Sequence, residues 1–270
     1  MTVAITGATG EVGRRVVARL DSPLLVVRDA SRAPAGARVA AGGYGDFDGM
    51  RDALEGVETV FLIPAAEAAD RVAQHKIAVD AAVAAGVARI VYLSFLGAAP
   101  DATFTLARDH WATEEHIRAS GVAWAFLRMN LYMDFIPGMA GEDGTIRGPA
   151  GEGRVSAILR DDVAEAAAAV LRDAGAHDGR VYDLTGPSAF SLSEAAEMLG
   201  GRFVDETDQE AYASRAKYGA PDWEVAGWVS SYQAIRDGSL SAVSAAVRDL
   251  TGRSPMSLTE YLGPANGGHR

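Results

Sequence analysis

The chain has 270 residues, of which 49% are hydrophobic and 23% charged, the composition of a globular protein large enough for one or two domains. It has no cysteine, which excludes disulfides and thiolate chemistry, and no charge-free apolar run long enough to predict a membrane span. Its 25 basic and 36 acidic residues give a net charge of −11, which argues against broad nucleic-acid binding but allows one small basic pocket for an anionic cofactor. We expect a cytoplasmic protein that binds neither nucleic acid nor membranes.

The first half of the sequence alternates short apolar runs with segments of helical periodicity. Strands are predicted at 2–6, 24–27, 59–64, 89–95 and 123–129, and helices between them at 12–20, 49–57, 71–87 and 109–120. Strands that are apolar on both faces and separated by helices form parallel sheets covered on both sides. The sequence therefore predicts an α/β protein with a doubly wound parallel Rossmann sheet.

The second half is less regular. It predicts a strand and a helix within 153–175, a strand at 179–186 and a helix at 191–200. Asp161 or Asp162 is expected to cap the first of these helices. From about residue 203 onward the pattern is helical and loop-like, which predicts a small, mostly helical C-terminal substrate lobe.

Three glycines follow the first predicted strand at every third position, Gly7, Gly10 and Gly13, in the stretch TGATGEVG. At a turn from strand to helix, glycines let the backbone approach a pyrophosphate, and the helix N-terminus meets its negative charge. The spacing is GxxGxxG and not the general GxGxxG, so a tight turn with close helix packing is the alternative interpretation. Because a strand precedes the glycines and a helix follows them, we expect a dinucleotide-binding loop.

Arg28 stands directly after the second predicted strand. An acidic residue there bonds the ribose 2′-hydroxyl of NAD, whereas arginine suits the 2′-phosphate of NADP. The neighbouring Asp29 could turn inward and restore a preference for NAD, and Arg28 could simply be solvated. We expect NADPH as the cofactor, with NADH as the alternative.

These motifs together resemble the NmrA-like atypical short-chain dehydrogenases/reductases, especially their NAD(P)H:quinone oxidoreductase branch. The resemblance is carried by TGATGEVG, VVRDASR, GYGDFD, FLIPA, QHKIAVDAAVAAGVARIVYLSF, HWATEEHIRASGVAWAFLRMNLY, GPAGEGRVSAILRDDVAEAAAAVL, YDLTGP and AIRDGSLSAVSAAVRDLTGRSPMSL, so it spans nearly the whole chain. It implies an NAD(P)-binding Rossmann core at 1–131. The mixed region 132–270 would complete the sheet at about 154–186 and form the substrate lobe.

The resemblance also implies roles for individual residues. The implied cofactor residues are Gly7, Thr9, Gly10, Glu11 and Val12 at the pyrophosphate, Arg28 at the 2′-phosphate, Asp46 and Phe47 at the adenine, Ile63 and Pro64 at the ribose and nicotinamide, and Ser94 and Phe95 facing the nicotinamide. His110 and Asn130 are the implied polar groups on the substrate side. Three structural alternatives stay open: Asp46 as the cap of a turn, Asn130 as a tie for its loop, and His110 as an exposed residue near a helix start.

One motif of typical short-chain dehydrogenases is missing. In their Tyr-x-x-x-Lys pair, the lysine lowers the pKa of the tyrosine so that it can transfer a proton. The nearest stretch here, FTLAR, has Phe104 and Arg108 at those positions. A quinone relaxes the need for a proton donor, because hydride addition yields a resonance-stabilised hydroquinone anion.

We therefore predict an NADPH-dependent oxidoreductase that transfers hydride to a quinone or similar conjugated carbonyl. The alternatives are a non-catalytic, dinucleotide-binding redox sensor and a tailoring reductase of a polycyclic aromatic metabolite. We expect a small-molecule substrate and no metal site, and either a monomer or a homodimer.

Overall fold

A computed structural model describes residues 2–263 of the protein, and parallel strands form its centre. The strands are β1 (Val3–Thr6), β2 (Leu24–Val27), β3 (Arg38–Val39), β4 (Thr59–Leu62), β5 (Arg89–Phe95), β6 (Ala123–Met129), β7 (Thr145–Gly148), β8 (Arg154–Val155), β9 (Arg180–Leu184), β10 (Phe190–Ser191) and β11 (Arg202–Asp205). The helices are α1 (Glu11–Val17), α2 (Phe47–Ala53), α3 (Arg71–Ala84), α4 (Thr105–Ala119), α5 (Arg160–Arg172), α6 (Leu192–Met198), α7 (Asp208–Arg215), α8 (Asp222–Arg236), α9 (Ala246–Thr251) and α10 (Leu258–Leu262).

The central sheet has seven strands in the order β3-β2-β1-β4-β5-β6-β9, and every neighbouring pair is parallel. Helices α1, α5 and α9 cover one face, and α2, α3 and α4 cover the other. Strand β4 is buried along its whole length, as expected for a sheet covered on both sides. This arrangement confirms the predicted doubly wound Rossmann fold.

The lobe beyond the sheet has its own apolar cluster. Two small sheets frame it, one with β7 parallel to β11 and the other with β8 antiparallel to β10. The cluster includes Phe95, Ile136, Phe190 and Ile235, so the carboxyl end of β5 packs directly into the lobe. Of the strands expected between 154 and 186, only β9 joins the central sheet.

Several element boundaries differ from the sequence prediction. Helix α5 begins at Arg160 after Leu159, so neither predicted aspartate is its cap. Asp162 is buried instead, and it binds Arg253 and the backbone N–H of Met256. Helix α4 starts four residues before the predicted position, and β3 was missed because a two-residue edge strand carries no apolar run.

No helix within residues 2–263 is long and apolar enough to cross a membrane. In the same part of the chain, no three His, Asp or Glu side chains are grouped so that they could hold a metal ion.

Candidate functional site

Most of the predicted cofactor residues lie along one edge of the central sheet. Gly7, Arg28, Ile63 and Phe95 stand at the carboxyl ends of β1, β2, β4 and β5, which are neighbours in the order β2-β1-β4-β5. In open α/β sheets, ligands bind in the crevice outside the carboxyl ends of the strands. The fold thus brings together residues that are far apart in the sequence.

The glycine loop is shaped by close backbone contacts. Gly7 has a φ of +59°, and its carbonyl oxygen accepts a hydrogen bond from the Gly10 N–H at 2.9 Å. A Cβ on Gly13 would lie only 2.2 Å from that oxygen, so α1 can take its place only because this residue is glycine. Gly7, Thr9 and Gly10 are exposed, and the loop therefore presents bare backbone at the start of α1. This cradle fits a dinucleotide pyrophosphate.

Glu11 and Val12 contribute to the loop mainly through their backbone. The Val12 side chain is buried in the core under the sheet. The Glu11 carboxylate turns along the helix to Arg14 and Arg15, each at 2.6 Å, and these hydrogen bonds lower its pKa to about 2. No side chain caps the N-terminus of α1.

Arg28 is exposed at the end of β2, and no ion pair within residues 2–263 involves it. Its aliphatic stem lies over Gly43, where a Cβ would come within 2.8 Å of Arg28 Cδ. The Asp29 carboxylate instead accepts hydrogen bonds from the N–H and hydroxyl of Ser31, at 2.9 and 2.6 Å. Asp29 thereby caps the following 3-10 turn, while the Arg28 guanidinium is left available for an anionic group.

Tyr44 is a structural part of this edge that sequence reasoning missed. Its buried hydroxyl is hydrogen-bonded to Thr6 Oγ1 and the Ile63 carbonyl, so it joins the ends of β1 and β4. Thr6 Oγ1 also donates to the carbonyl of Phe61 at 3.1 Å. Burial raises the pKa of Tyr44, which keeps the phenol protonated. No periodicity marks this tyrosine, because its partners are distant in the sequence.

Asp46 and Phe47 differ in what they offer to a ligand. The Asp46 carboxylate accepts a hydrogen bond from the Gly49 N–H at 3.0 Å and caps α2, as the structural alternative had it. It also packs so closely that a Cβ on Gly42 or Gly49 would collide with it. The Phe47 ring is 38% exposed, so of this pair it is the ring that can contact a ligand.

The structure does not bring Ser94 to the site. Its hydroxyl is fully buried and donates to Glu114 Oε1 at 2.6 Å, within an ion pair between Glu114 and Arg128. Side chains alternate along a strand, so the neighbouring Phe95 points to the opposite face, toward the lobe. Phe95 packs against Phe104 with ring centroids 4.9 Å apart.

His110 is buried beside Phe95 and not exposed at a helix start. It is 3% exposed, and its Nδ1 is 2.9 Å from the hydroxyl of Tyr92. Burial, together with Arg71 and His75, holds the pKa of His110 well below its usual value, so the imidazole is neutral. Among the described residues, Nε2 of His110 has no hydrogen-bond partner.

Asn130 ties the end of β6 to the lobe. Its Nδ2 donates to Ser156 Oγ and to the Leu240 carbonyl, both at 2.9 Å, and its Oδ1 accepts from the Leu131 N–H at 2.8 Å. Both amide hydrogens are used, and the side chain is fully buried. This geometry supports the structural alternative for Asn130, whereas the His110 ring lies beside Phe95, with the ring centroids 6.0 Å apart.

A second buried histidine holds the segment that follows Pro64. Nε2 of His75 accepts the backbone N–H of Ala65 at 2.9 Å, and Nε of Arg71 donates to the Ala65 carbonyl at 3.1 Å. Nη1 of Arg71 lies 3.8 Å from a carboxylate oxygen of Asp109. Burial, with a smaller effect of Arg71, lowers the pKa of His75 to about 3. These contacts fix the β4 loop on the predicted nicotinamide side.

Comparison with known proteins identifies relatives of this chain. A family model described as NAD(P)H-binding matches residues 7–174. The chain is 37% identical to quinone oxidoreductase 2 of Escherichia coli over 210 residues, which is 73% of each chain. The crystal structure of an E. coli NADPH-dependent quinone oxidoreductase complexed with NADPH has a TM-score of 0.88 and 32% identity, covering 97% of this chain and 98% of its own.

Two further comparisons concern a reductase and a transcriptional regulator. The (4-alkanoyl-5-oxo-2,5-dihydrofuran-3-yl)methyl phosphate reductase of Streptomyces griseus subsp. griseus is 34% identical over 273 residues, 93% of each chain. NmrA, a negative transcriptional regulator, has a TM-score of 0.70 over 97% of this chain and 94% of its own. Its identity is 17%, so it shows the fold alone. Together the comparisons confirm the predicted fold and an NAD(P)H cofactor.

Proposed function

The chain belongs to the NAD(P)H-binding family and is an NAD(P)H-dependent oxidoreductase, and we propose that it uses NADPH to reduce a quinone or similar conjugated carbonyl. One observation carries the choice of acceptor. At the carboxyl end of β5, the rings of Phe95 and Phe104 pack beside a neutral, buried His110. We infer that a flat conjugated molecule lies against this apolar cluster, of which Phe104 is the partly exposed ring, with the His110 imidazole as its polar group.

The chain offers no strong proton donor of the usual kind. Neither of its two lysines follows a tyrosine at the Tyr-x-x-x-Lys spacing. The residues four positions before Lys76 and Lys217 are Val72 and Ala213. Arg108, at the position that lysine would take after Phe104, is exposed and donates to the Ala102 carbonyl at 2.8 Å. Reduction of a simple ketone, which needs a proton as the alkoxide forms, is therefore disfavoured.

A quinone suits these residues because its reduction can proceed without an acid. The bound cofactor supplies hydride from its nicotinamide ring. Phe95 and Phe104 hold the acceptor and exclude water, and a hydrogen bond from His110 stabilises the negative charge that develops on its oxygen. Water protonates the hydroquinone anion once it has left the site. The quinone oxidoreductase of E. coli and the reductase of S. griseus are both relatives whose names describe reduction.

The preference for NADPH rests on Arg28. Its exposed guanidinium has no ion-pair partner within residues 2–263, and Asp29 is engaged as a turn cap. A phosphate would receive charge-assisted, bidentate hydrogen bonds from such an arginine.

The proposal is tested with three acceptors of similar size: a benzoquinone, an α,β-unsaturated ketone and a saturated ketone. We expect saturable NADPH oxidation with the first two and none with the third. Faster turnover of the saturated ketone would contradict the proposal. Turnover of polycyclic aromatic acceptors alone would indicate a tailoring reductase. No turnover, with different affinities for NADPH and NADP⁺, would indicate a redox sensor.

A further inference from the structure

Four buried polar side chains form a connected group between β5, α3 and α4. They are His75, Tyr92, His110 and Thr113, and none of them is more than 3% exposed. The group begins at the Ala65 N–H, on the β4 loop, and ends at His110, whose Nε2 has no partner among the described residues. Buried polar groups must be paired, so each proton in this group can be followed.

The proton of His75 is fixed by the backbone. Its Nε2 accepts the Ala65 N–H at 2.9 Å and therefore carries no hydrogen. His75 is neutral, so its hydrogen is on Nδ1 and is donated to Thr113 Oγ1 at 2.8 Å. The Thr113 hydroxyl in turn donates to the Asp109 carbonyl at 2.8 Å.

The proton of Tyr92 then has one acceptor in hydrogen-bond geometry within the described residues, Nδ1 of His110 at 2.9 Å. Thr113 also faces this hydroxyl, but within residues 2–263 the hydrogen bond in good geometry is the one from Tyr92 to His110. Burial raises the pKa of Tyr92, so the phenol keeps its proton and acts as the donor. A neutral imidazole that accepts at Nδ1 carries its hydrogen on Nε2.

We propose that Tyr92 is a positioning residue that fixes His110 as the Nε2–H tautomer, so that His110 presents an N–H donor to the oxygen of the acceptor. This inference rests on the proposed function, since it names the group that serves the acceptor. The charged and titratable groups around the imidazole are Arg71, His75 and Tyr92. Arg71 and His75 both disfavour a charged imidazole, which keeps His110 a donor through its single N–H.

The chemistry balances without a protein acid. Hydride addition brings two electrons to the quinone and leaves one negative charge on oxygen, while the reduced cofactor becomes its oxidised form. The Nε2–H bond of His110 is not broken; it donates a hydrogen bond to that oxygen. The proton that completes the hydroquinone comes from water.

The direct test is the tautomeric state of each histidine, read from two-bond ¹H–¹⁵N correlations of the imidazole rings in ¹⁵N-labelled protein. We expect opposite tautomers for the two buried histidines, Nδ1–H for His75 and Nε2–H for His110. His75 serves as the internal reference, because its tautomer is set by a backbone donor. An Nδ1–H pattern for His110 would overturn the inference, and this result does not depend on any activity.

A variant pair tests the positioning role. Y92F removes the donor to His110, whereas Y182F removes the same kind of contact from the separate pair formed by Tyr182 and His177, at 2.7 Å. We expect Y92F to mix the His110 tautomers and lower kcat by about threefold to tenfold, as for one hydrogen bond, with the KM for NADPH unchanged. Y182F should match the unaltered protein.

Wild-type kcat and an unchanged Nε2–H tautomer in Y92F would overturn the role of Tyr92. Failure of the proposed function would give a different result. The unaltered protein would then reduce no quinone, even though the spectrum of His110 showed the Nε2–H tautomer.

Discussion

The carbonyl oxygen of Gly7 lies 2.2 Å from the position that a Cβ on Gly13 would occupy. Helix α1 therefore crosses the end of β1 more closely than any side chain permits. This contact leaves the backbone of Gly7 and Gly10 exposed at the edge where β1, β2 and β4 end. The packing of α1 thus requires glycine at position 13, and the same packing exposes the loop backbone that can bind a ligand.

G13A should impair both stability and cofactor binding, because α1 must shift away from the loop. We expect a loss of about 1–3 kcal/mol in the free energy of unfolding, the usual effect of overpacking, together with weaker NADPH binding. The control is G138A, since a Cβ there meets no atom within 4 Å. Unfolding in urea and a fluorescence titration measure the two effects. Wild-type NADPH affinity in G13A would contradict this interpretation of the loop.

R28A should weaken binding of NADPH and leave binding of NADH almost unchanged. The loss of a charge-assisted hydrogen bond costs about 1.5–3 kcal/mol, so the Kd for NADPH should rise by about tenfold or more. R248A is the matched control, because Arg248 is an exposed arginine of α9 whose one ion-pair partner within residues 2–263 is the adjacent Asp249. Equal losses for the two cofactors in R28A would show that Arg28 does not read the 2′-phosphate.

Quinone turnover should show no histidine ionisation near the usual pKa of 6.5, because His110 stays neutral far below that value. We expect kcat to be flat across about pH 6 to 8, where a free histidine would titrate. H110F should lower kcat over the whole range without changing the shape of the profile. A change of kcat with pH near 6.5 that disappears in H110F would mean that protonated His110 takes part in the reaction.

The two neutral histidines should also make the fold sensitive to acid. Their folded pKa values lie below the unfolded value of 6.5, so below that pH the unfolded chain binds more protons than the folded one. Stability from these groups is therefore complete above about pH 6.5 and falls as the pH drops toward about 3, by up to about 1.4 kcal/mol per unit for each group. H75Q should lower this slope relative to that of the unaltered protein. Urea unfolding at several pH values measures the slope, and a slope in H75Q equal to that of the unaltered protein would refute the assignment.

N130A should affect stability more than catalysis. Asn130 makes three hydrogen bonds with groups of the chain and is fully buried, so its removal leaves partners unsatisfied at a cost of about 1–3 kcal/mol each. We expect a clear drop in Tm while the folded variant keeps most of its kcat. A stable N130A protein with no turnover would instead support the substrate role of Asn130 that the family resemblance implies.

The sequence was sufficient for features that depend on local pattern. The alternation of apolar strands and helices predicted the sheet, and Arg28 could be placed because it directly follows β2. Ser94 and Asn130 could not be placed in this way. Their partners are Glu114 for Ser94, and Ser156 and Leu240 for Asn130, side chains and backbone that only the folded chain brings close. Whether a polar residue at a strand end faces a ligand or a neighbouring helix is decided by packing.

Initial rates of NADPH and NADH oxidation at increasing concentrations of a simple benzoquinone, with the uncatalysed rates subtracted, test whether the protein is an NADPH-dependent quinone reductase. We expect a rate that saturates with the quinone and a kcat/KM for NADPH well above that for NADH, a difference that R28A removes. Rates with both cofactors that equal the uncatalysed reaction at every quinone concentration would contradict it.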